Sequence, residues 1–204
     1  MVGKRASKDR EPKDRLIDAA LSLAAVRGWG RVTLAEIAEK AGVSLAQLHH
    51  AAPSKAHLLR LWMQRIDAEI LAGPAPDSGD SARDRLFEVL MRRLDALKPQ
   101  KAALASIVDS LSRDPVQAFC GWPALLRSMS WMLEAAGIDA SGLKGALRAR
   151  GLALVWLATL RTFLTDESED MAATMAVLDR ALKRAEPFGR ALDGRIFVAP
   201  QRAG

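Results

Sequence analysis

Tyrosine is missing from this chain, and its five Trp and five Phe amount to only 5% of 204 residues. Strands draw heavily on aromatic and β-branched side chains, so this shortage, beside abundant Ala and Leu, argues for helices. A single cysteine, Cys120, excludes an internal disulfide and a cysteine cage for a metal. The histidines are His49, His50 and His57, which lack the i, i+4 spacing of a helical metal pair, so no metal site is expected. No run of about 18 uninterrupted apolar residues is present to span a bilayer. The longest candidate, Gly151 to Leu164, is interrupted by Arg161. The opening MVGKRASKDREPKDR is charged throughout and lacks the apolar stretch of a signal peptide. A soluble, cytoplasmic protein without stable membrane insertion is expected. Neither a G-x-S-x-G elbow, a phosphate loop nor a Ser/His/Asp spacing stands out, so no catalytic residue, cofactor or enzyme activity is predicted.

Half the residues are hydrophobic and 26% are charged, the balance of an ordinary soluble protein with ample core. The length suits a small module followed by a larger one. The net charge is +6, and residues 1–72 hold twelve Lys/Arg against eight Asp/Glu. Within the first fifteen residues there are six basic and three acidic side chains. Residues 1–11 therefore read either as a flexible basic arm that attracts phosphates through Lys4, Arg5 and their neighbours, or as a solvated tail.

Pro12 suits a first helical turn, and Leu16, Ile17, Ala20, Leu21 and Ala24 recur at helical spacing up to Gly28. Thr33-Leu34-Ala35-Glu36 is a capping box, as is Ser44-Leu45-Ala46-Gln47, and Gly42 lies between them. Two capped helices joined by a Gly turn have helix-turn-helix geometry. Pro53 and Ser54 end the second helix and cap a third, whose stripe of Leu58, Leu59, Trp62, Met63, Ile66 and Ile70 predicts a helix from Lys55 to about Ala72. GPAPDSGDS, residues 73–81, reads as a loop between domains.

A helical bundle over 82–187 is predicted next, with Pro115 and the GWP at Gly121 to Pro123 as breaks. Its long helices are expected over Trp122 to Ala136, Ser141 to Leu164 and Met171 to Arg184, followed by a loosely ordered tail over 188–204. The fold class is all-α: a three-helix reading module over 12–72, linking helix included, plus this bundle.

A two-helix turn places one helix in a DNA major groove. Val43 and Leu48 face inward against Ile37 and Ala38, leaving Ser44, Leu45, Ala46, Gln47, His49 and His50 outward. Gln47 matches an adenine edge through its carbonyl and amide, while Leu45 and Ala46 match thymine methyls. In isolation, an exposed Gln is more often a solvated polar residue. From Gly42 to Ser54 there is no Lys or Arg, so phosphate attraction must come from elsewhere, with Arg31 and Lys40 as further candidates.

The stretch GWGRVTLAEIAEKAGVSLAQLHHAAPSKAHLL resembles the DNA-binding module of TetR-type bacterial regulators. The likeness lies in T-x-x-E-I-A, A-G-V-S at the turn, Leu in the reading helix, and S-K opening the next helix. It implies double-stranded DNA as partner, Thr33, Ser44 and Lys55 at phosphates, and a homodimer through the last two long helices. Where such regulators carry L-Y-x-H-F, this chain has Leu48-His49-His50-Ala51-Ala52. His49 replaces a phosphate-contacting Tyr, and Ala52 a packing Phe, whose bulk Trp29 or Trp62 would have to restore. W-x-x-x-x-A-G at Trp131 to Gly137 and D-x-S-x-D at Asp166 to Asp170 resemble the auxiliary protein of ubiquinone biosynthesis. That family is similar in fold to these regulators but binds an isoprenoid lipid and a partner enzyme. Trp122, Met129, Trp131, Met132, Trp156 and Phe163, with Met171 and Met175, either line a pocket for a small hydrophobic ligand or form ordinary core.

Overall fold

The computed structural model describes the backbone of residues 2–192 and the side chains of residues 12–192. The described chain contains helices and no strand: α1 (Val2–Arg27), α2 (Leu34–Ala41), α3 (Leu45–Ala51), α4 (Lys55–Leu71), α5 (Ala82–Leu97), α6 (Lys101–Ser112), α7 (Pro115–Ala135), α8 (Gly142–Thr165) and α9 (Ala172–Leu192). Short 3-10 turns at Trp29–Arg31 and Lys98–Gln100 precede α2 and α6. No helix among the described residues is long and apolar enough to cross a membrane.

The chain forms two compact units, residues 1–73 with 93–128, and residues 74–92 with 129–204. This division differs from a boundary at the 73–81 loop, because α6 packs on α1 and on the 3-10 turn after it. In the first unit Leu16, Ile17, Ala20 and Ala24 of α1 are buried, as are Ile37 and Ala38 of α2, Leu48 of α3, and Leu58, Trp62 and Ile66 of α4. Ala52 is also fully buried, and Trp29 and Trp62 are the bulkiest fully buried side chains, so this unit keeps an aromatic core without the usual Phe.

This unit also holds a buried ion pair. Arg93 of α5 is buried and pairs with Asp67 of α4, whose carboxylate also accepts a 2.6 Å bond from the Ser128 hydroxyl of α7. Burial pulls the Arg93 pKa down, and the neighbouring carboxylate pushes back.

In the second unit α8 packs along α9, burying Leu152, Ala153, Trp156 and Phe163 against Leu178 and Leu182. The Asp166 carboxylate caps α9, accepting from the Ser168 hydroxyl at 2.5 Å and from the Thr174 amide and hydroxyl at 2.8 and 2.7 Å. These bonds, those of Ser168 and then Thr174 foremost, hold its pKa well below the usual carboxylate range.

Three boundaries depart from the sequence reading. Helix α1 starts at Val2 rather than near Pro12, since Lys, Arg, Ala and Glu are good helix formers and charge alone does not unfold a segment. Helix α7 runs unbroken through Gly121, Trp122 and Pro123. A proline forfeits one backbone bond and clashes with the preceding turn, yet the twelve residues after it form a helix as well as the eight before it. Helix α9 continues through Pro187 to Leu192, beyond the expected start of the tail. The rest of that tail, 193–204, lies outside the described residues.

Candidate nucleic-acid interface

The reading helix is built from its caps. Thr33 accepts the Glu36 amide at 3.3 Å, while Glu36 accepts the Thr33 amide at 2.8 Å. Arg27 bonds the other Glu36 oxygen at 2.5 Å. The Thr33 backbone and hydroxyl, then Arg27, hold the Glu36 pKa below its ordinary value. Gly42 ends α2 in the left-handed region, at φ +65°. From there the amides of Gly42 and Val43 reach back to the carbonyls of Glu39 and Ala38 at 3.1 and 3.0 Å. Such a turn satisfies the carbonyls left over at a helix end, and glycine enters it without the Cβ penalty.

Ser44 repeats the box at the start of α3: its hydroxyl accepts the Gln47 amide at 3.2 Å, and its amide donates to Gln47 Oε1 at 2.8 Å. Leu48 is buried and Val43 half-buried, whereas Ser44, Leu45, Ala46, Gln47, His49 and His50 are exposed. The outward face thus matches the sequence reading, with one refinement. The Gln47 carbonyl already serves the cap, so only its amide group points freely outward, and bidentate contact with adenine requires that carbonyl to be shared or released.

Lys55 is placed differently from the expectation of a phosphate contact. Its Nζ donates to the carbonyls of Trp29 and Val32 at 2.5 and 2.8 Å and lies 4.5 Å from the centroid of the Trp29 ring. Burial lowers its pKa. The S-K signal was legible, but the two carbonyls that hold Lys55 lie more than twenty residues away in sequence and carried no local mark. Arg31 and Lys40 are exposed. The side chains of Lys4 and Arg5 lie outside the described residues.

The candidate pocket residues are divided between the two units. Met129, Met132, Trp156 and Phe163 are buried in the second unit, while Trp131 is half exposed. Trp122 is half-buried in the first unit. A shallow 260 Å³ cavity in the first unit is lined instead by Asp18, Leu21, Ser22, Pro99, Gln100 and Ala103 among others. Both elements that resembled the ubiquinone auxiliary protein have local duties. Gly137, at φ +68°, ends α7 with its amide and that of Ile138 bonded to the carbonyls of Glu134 and Leu133. Asp166 caps α9, as described above.

Residues 16–61 match the family model for bacterial regulatory proteins of the tetR family. The chain is 37% identical over 75 residues to the HTH-type transcriptional repressor KstR of Mycolicibacterium smegmatis, a match spanning 33% of this chain and 37% of that one. It is 25% identical over 160 residues to the KstR of Rhodococcus jostii, spanning 78% of this chain and 76% of that one. The crystal structure of a TetR transcriptional regulator from Nitrosomonas europaea superposes with a TM-score of 0.68 at 28% identity, covering 85% of this chain and 97% of that one. With its capped helix-turn-helix and all-helical architecture, the chain carries a tetR-family DNA-binding module over residues 16–61 on the fold of TetR transcriptional regulators.

Proposed function

We propose that this protein is a transcriptional repressor that binds a palindromic DNA operator as a homodimer and releases it when a small hydrophobic ligand is bound. The observation that carries the reading is α3, a helix fixed by a capping box at its start and by buried Leu48 on its inner side, with Leu45, Ala46, Gln47, His49 and His50 exposed together. Its relatives named as repressors support the direction of regulation. Without Lys or Arg on α3, discrimination falls to Gln47 and its apolar neighbours. Arg31, Lys40, the hydroxyls of Thr33 and Ser44, and the basic residues 4–10 then supply attraction to phosphates.

Dimerisation through α8 and α9 is supported by apolar side chains left exposed on both helices: Leu154 and Leu157 on α8, and Phe188 on α9. A two-fold pair would set two α3 helices for half-sites about 34 Å apart, one turn of B-DNA. Ligand response is supported by Met129, Met132, Trp156 and Phe163, large apolar side chains buried in the second unit, of which the methionines are the most adaptable in shape. A ligand acts only if it favours one of two conformations that differ in DNA affinity.

The test is a mobility-shift titration at physiological salt, with competitor DNA present, against the duplex flanking the protein's own gene. A retarded complex that survives the competitor is expected, whereas co-purifying lipid without duplex preference points to a lipid-binding function instead.

A further inference from the structure

Lys55 opens α4, three residues after Ala52, the residue that ends α3, so whatever fixes Lys55 also fixes the exit of the reading helix. Its ammonium is bonded to the carbonyls of Trp29 and Val32, at 2.5 and 2.8 Å, around the end of the 3-10 turn. The Trp29 carbonyl also accepts the Val32 amide at 3.3 Å within the turn, and the ammonium adds charge-assisted bonds to both carbonyls. The indole of Trp29, 1% exposed, lies under the same ammonium.

The other side of the turn is tied to α6. The Trp29 amide donates to the Ser106 hydroxyl at 2.6 Å. A Cβ built on Gly28 would lie 3.9 Å from the Ser106 hydroxyl, and one on Gly30 would lie 3.5 Å from that of Ser110, so α6 runs against the turn in ordinary contact. Ser106 and Trp29 are 77 residues apart in sequence, yet one amide joins them. All of these residues lie in the same compact unit.

We infer that Ser106, Trp29 and Lys55 form a positioning relay through which α6 sets the pose of α3, and that Lys55 strengthens DNA binding through this relay rather than by neutralising a phosphate. The inference rests on the DNA-binding reading above. It separates two roles for Lys55 that salt dependence distinguishes, because each neutralised phosphate adds about 0.9 to the slope of log affinity against log salt.

The experiment measures affinity for the preferred duplex between about 50 and 200 mM salt, using the full-length protein and its variants Lys55→Met, Ser106→Ala, Ser106→Thr and the Lys55→Met/Ser106→Ala double. The relay predicts that both single losses weaken binding by about 5–10-fold, the worth of one or two net hydrogen bonds, with the wild-type salt slope retained. The double variant should be weaker by less than the product of the singles, since both break one chain of contacts. Ser106→Thr, which keeps the hydroxyl, should bind as wild type. Circular dichroism identifies any variant that fails to fold. Should Lys55→Met unfold, Ser106→Ala and Ser106→Thr alone decide, by weakened binding at unchanged slope and its rescue. A slope lowered by about one in Lys55→Met, or wild-type affinity in Ser106→Ala, overturns the relay. A wild-type protein that prefers no duplex overturns the DNA reading itself, and that result is visible before any variant is made.

Discussion

Gln47 holds two duties in a single side chain. Its carbonyl completes the capping box with Ser44, and in the proposed function its amide is what α3 offers to a base edge. Gln47→Glu keeps an acceptor for the cap but removes the donors and adds a negative charge. Gln47→Ala removes everything. The expected outcome is that Glu leaves thermal stability close to wild type yet abolishes retardation of the duplex. Ala should cost about 1 kcal/mol of stability and relax sequence preference. Paired melting and mobility-shift measurements check this, and a fully active Glu variant would exclude Gln47 as a reader. Asp67 lies 8% exposed beneath Arg93, which is fully buried. Asp67→Ala would remove the carboxylate that pairs with Arg93 and accepts from Ser128, and should destabilise by about 3–5 kcal/mol, read by chemical denaturation. Nothing local marked either Asp67 or Lys55 for its partner: Arg93 and the Trp29 carbonyl lie 26 residues away in each case. Residue types were legible, but partners brought together by packing were not.

Helices α2, α3 and α4 were readable almost to the residue because their limits are set locally, by Thr33, Gly42, Ser44 and Ser54. Each of these residues satisfies backbone groups within four positions of itself. Helix α7 was not readable in this way. Gly121 and Pro123 are local breakers, yet the helix continues through both, which local propensity cannot foresee. Asp166 belongs to the legible kind once its loop is seen, as a cap of α9. Its folded pKa lies below the ordinary 3.8, so its support for α9 is complete above that value and is lost as pH falls below it. Asp166→Asn should therefore lower the melting temperature at neutral pH and flatten its fall in acid. Melting curves taken from neutral pH down through the carboxylate range test this. Equal acid sensitivity in both proteins would show that Asp166 does not carry it.

For the whole molecule, the all-helical class followed from what the chain lacks, and the family resemblance from one local motif. The grouping of α6 with the reading head was not foreseen, because it rests on packing between segments far apart in sequence. Leu154 and Leu157 remain exposed on α8, at 65% and 43%. If these residues meet a second copy, Leu157→Arg should halve the mass measured by light scattering while leaving helical content intact. It should also reduce duplex affinity at least tenfold by separating the half-site contacts. An unchanged mass would remove α8 from the interface.

The central claim is that α3, a helix with no Lys or Arg of its own, selects among base pairs while neighbouring segments supply the attraction to phosphates. Competition binding of the purified protein addresses it most directly, with a labelled duplex from beside its gene challenged by unlabelled copies of itself and by random duplex of equal length at physiological salt. The account predicts that the specific competitor displaces the label at a concentration roughly a thousandfold or more below that required of the random one. Equal displacement by the two would contradict it.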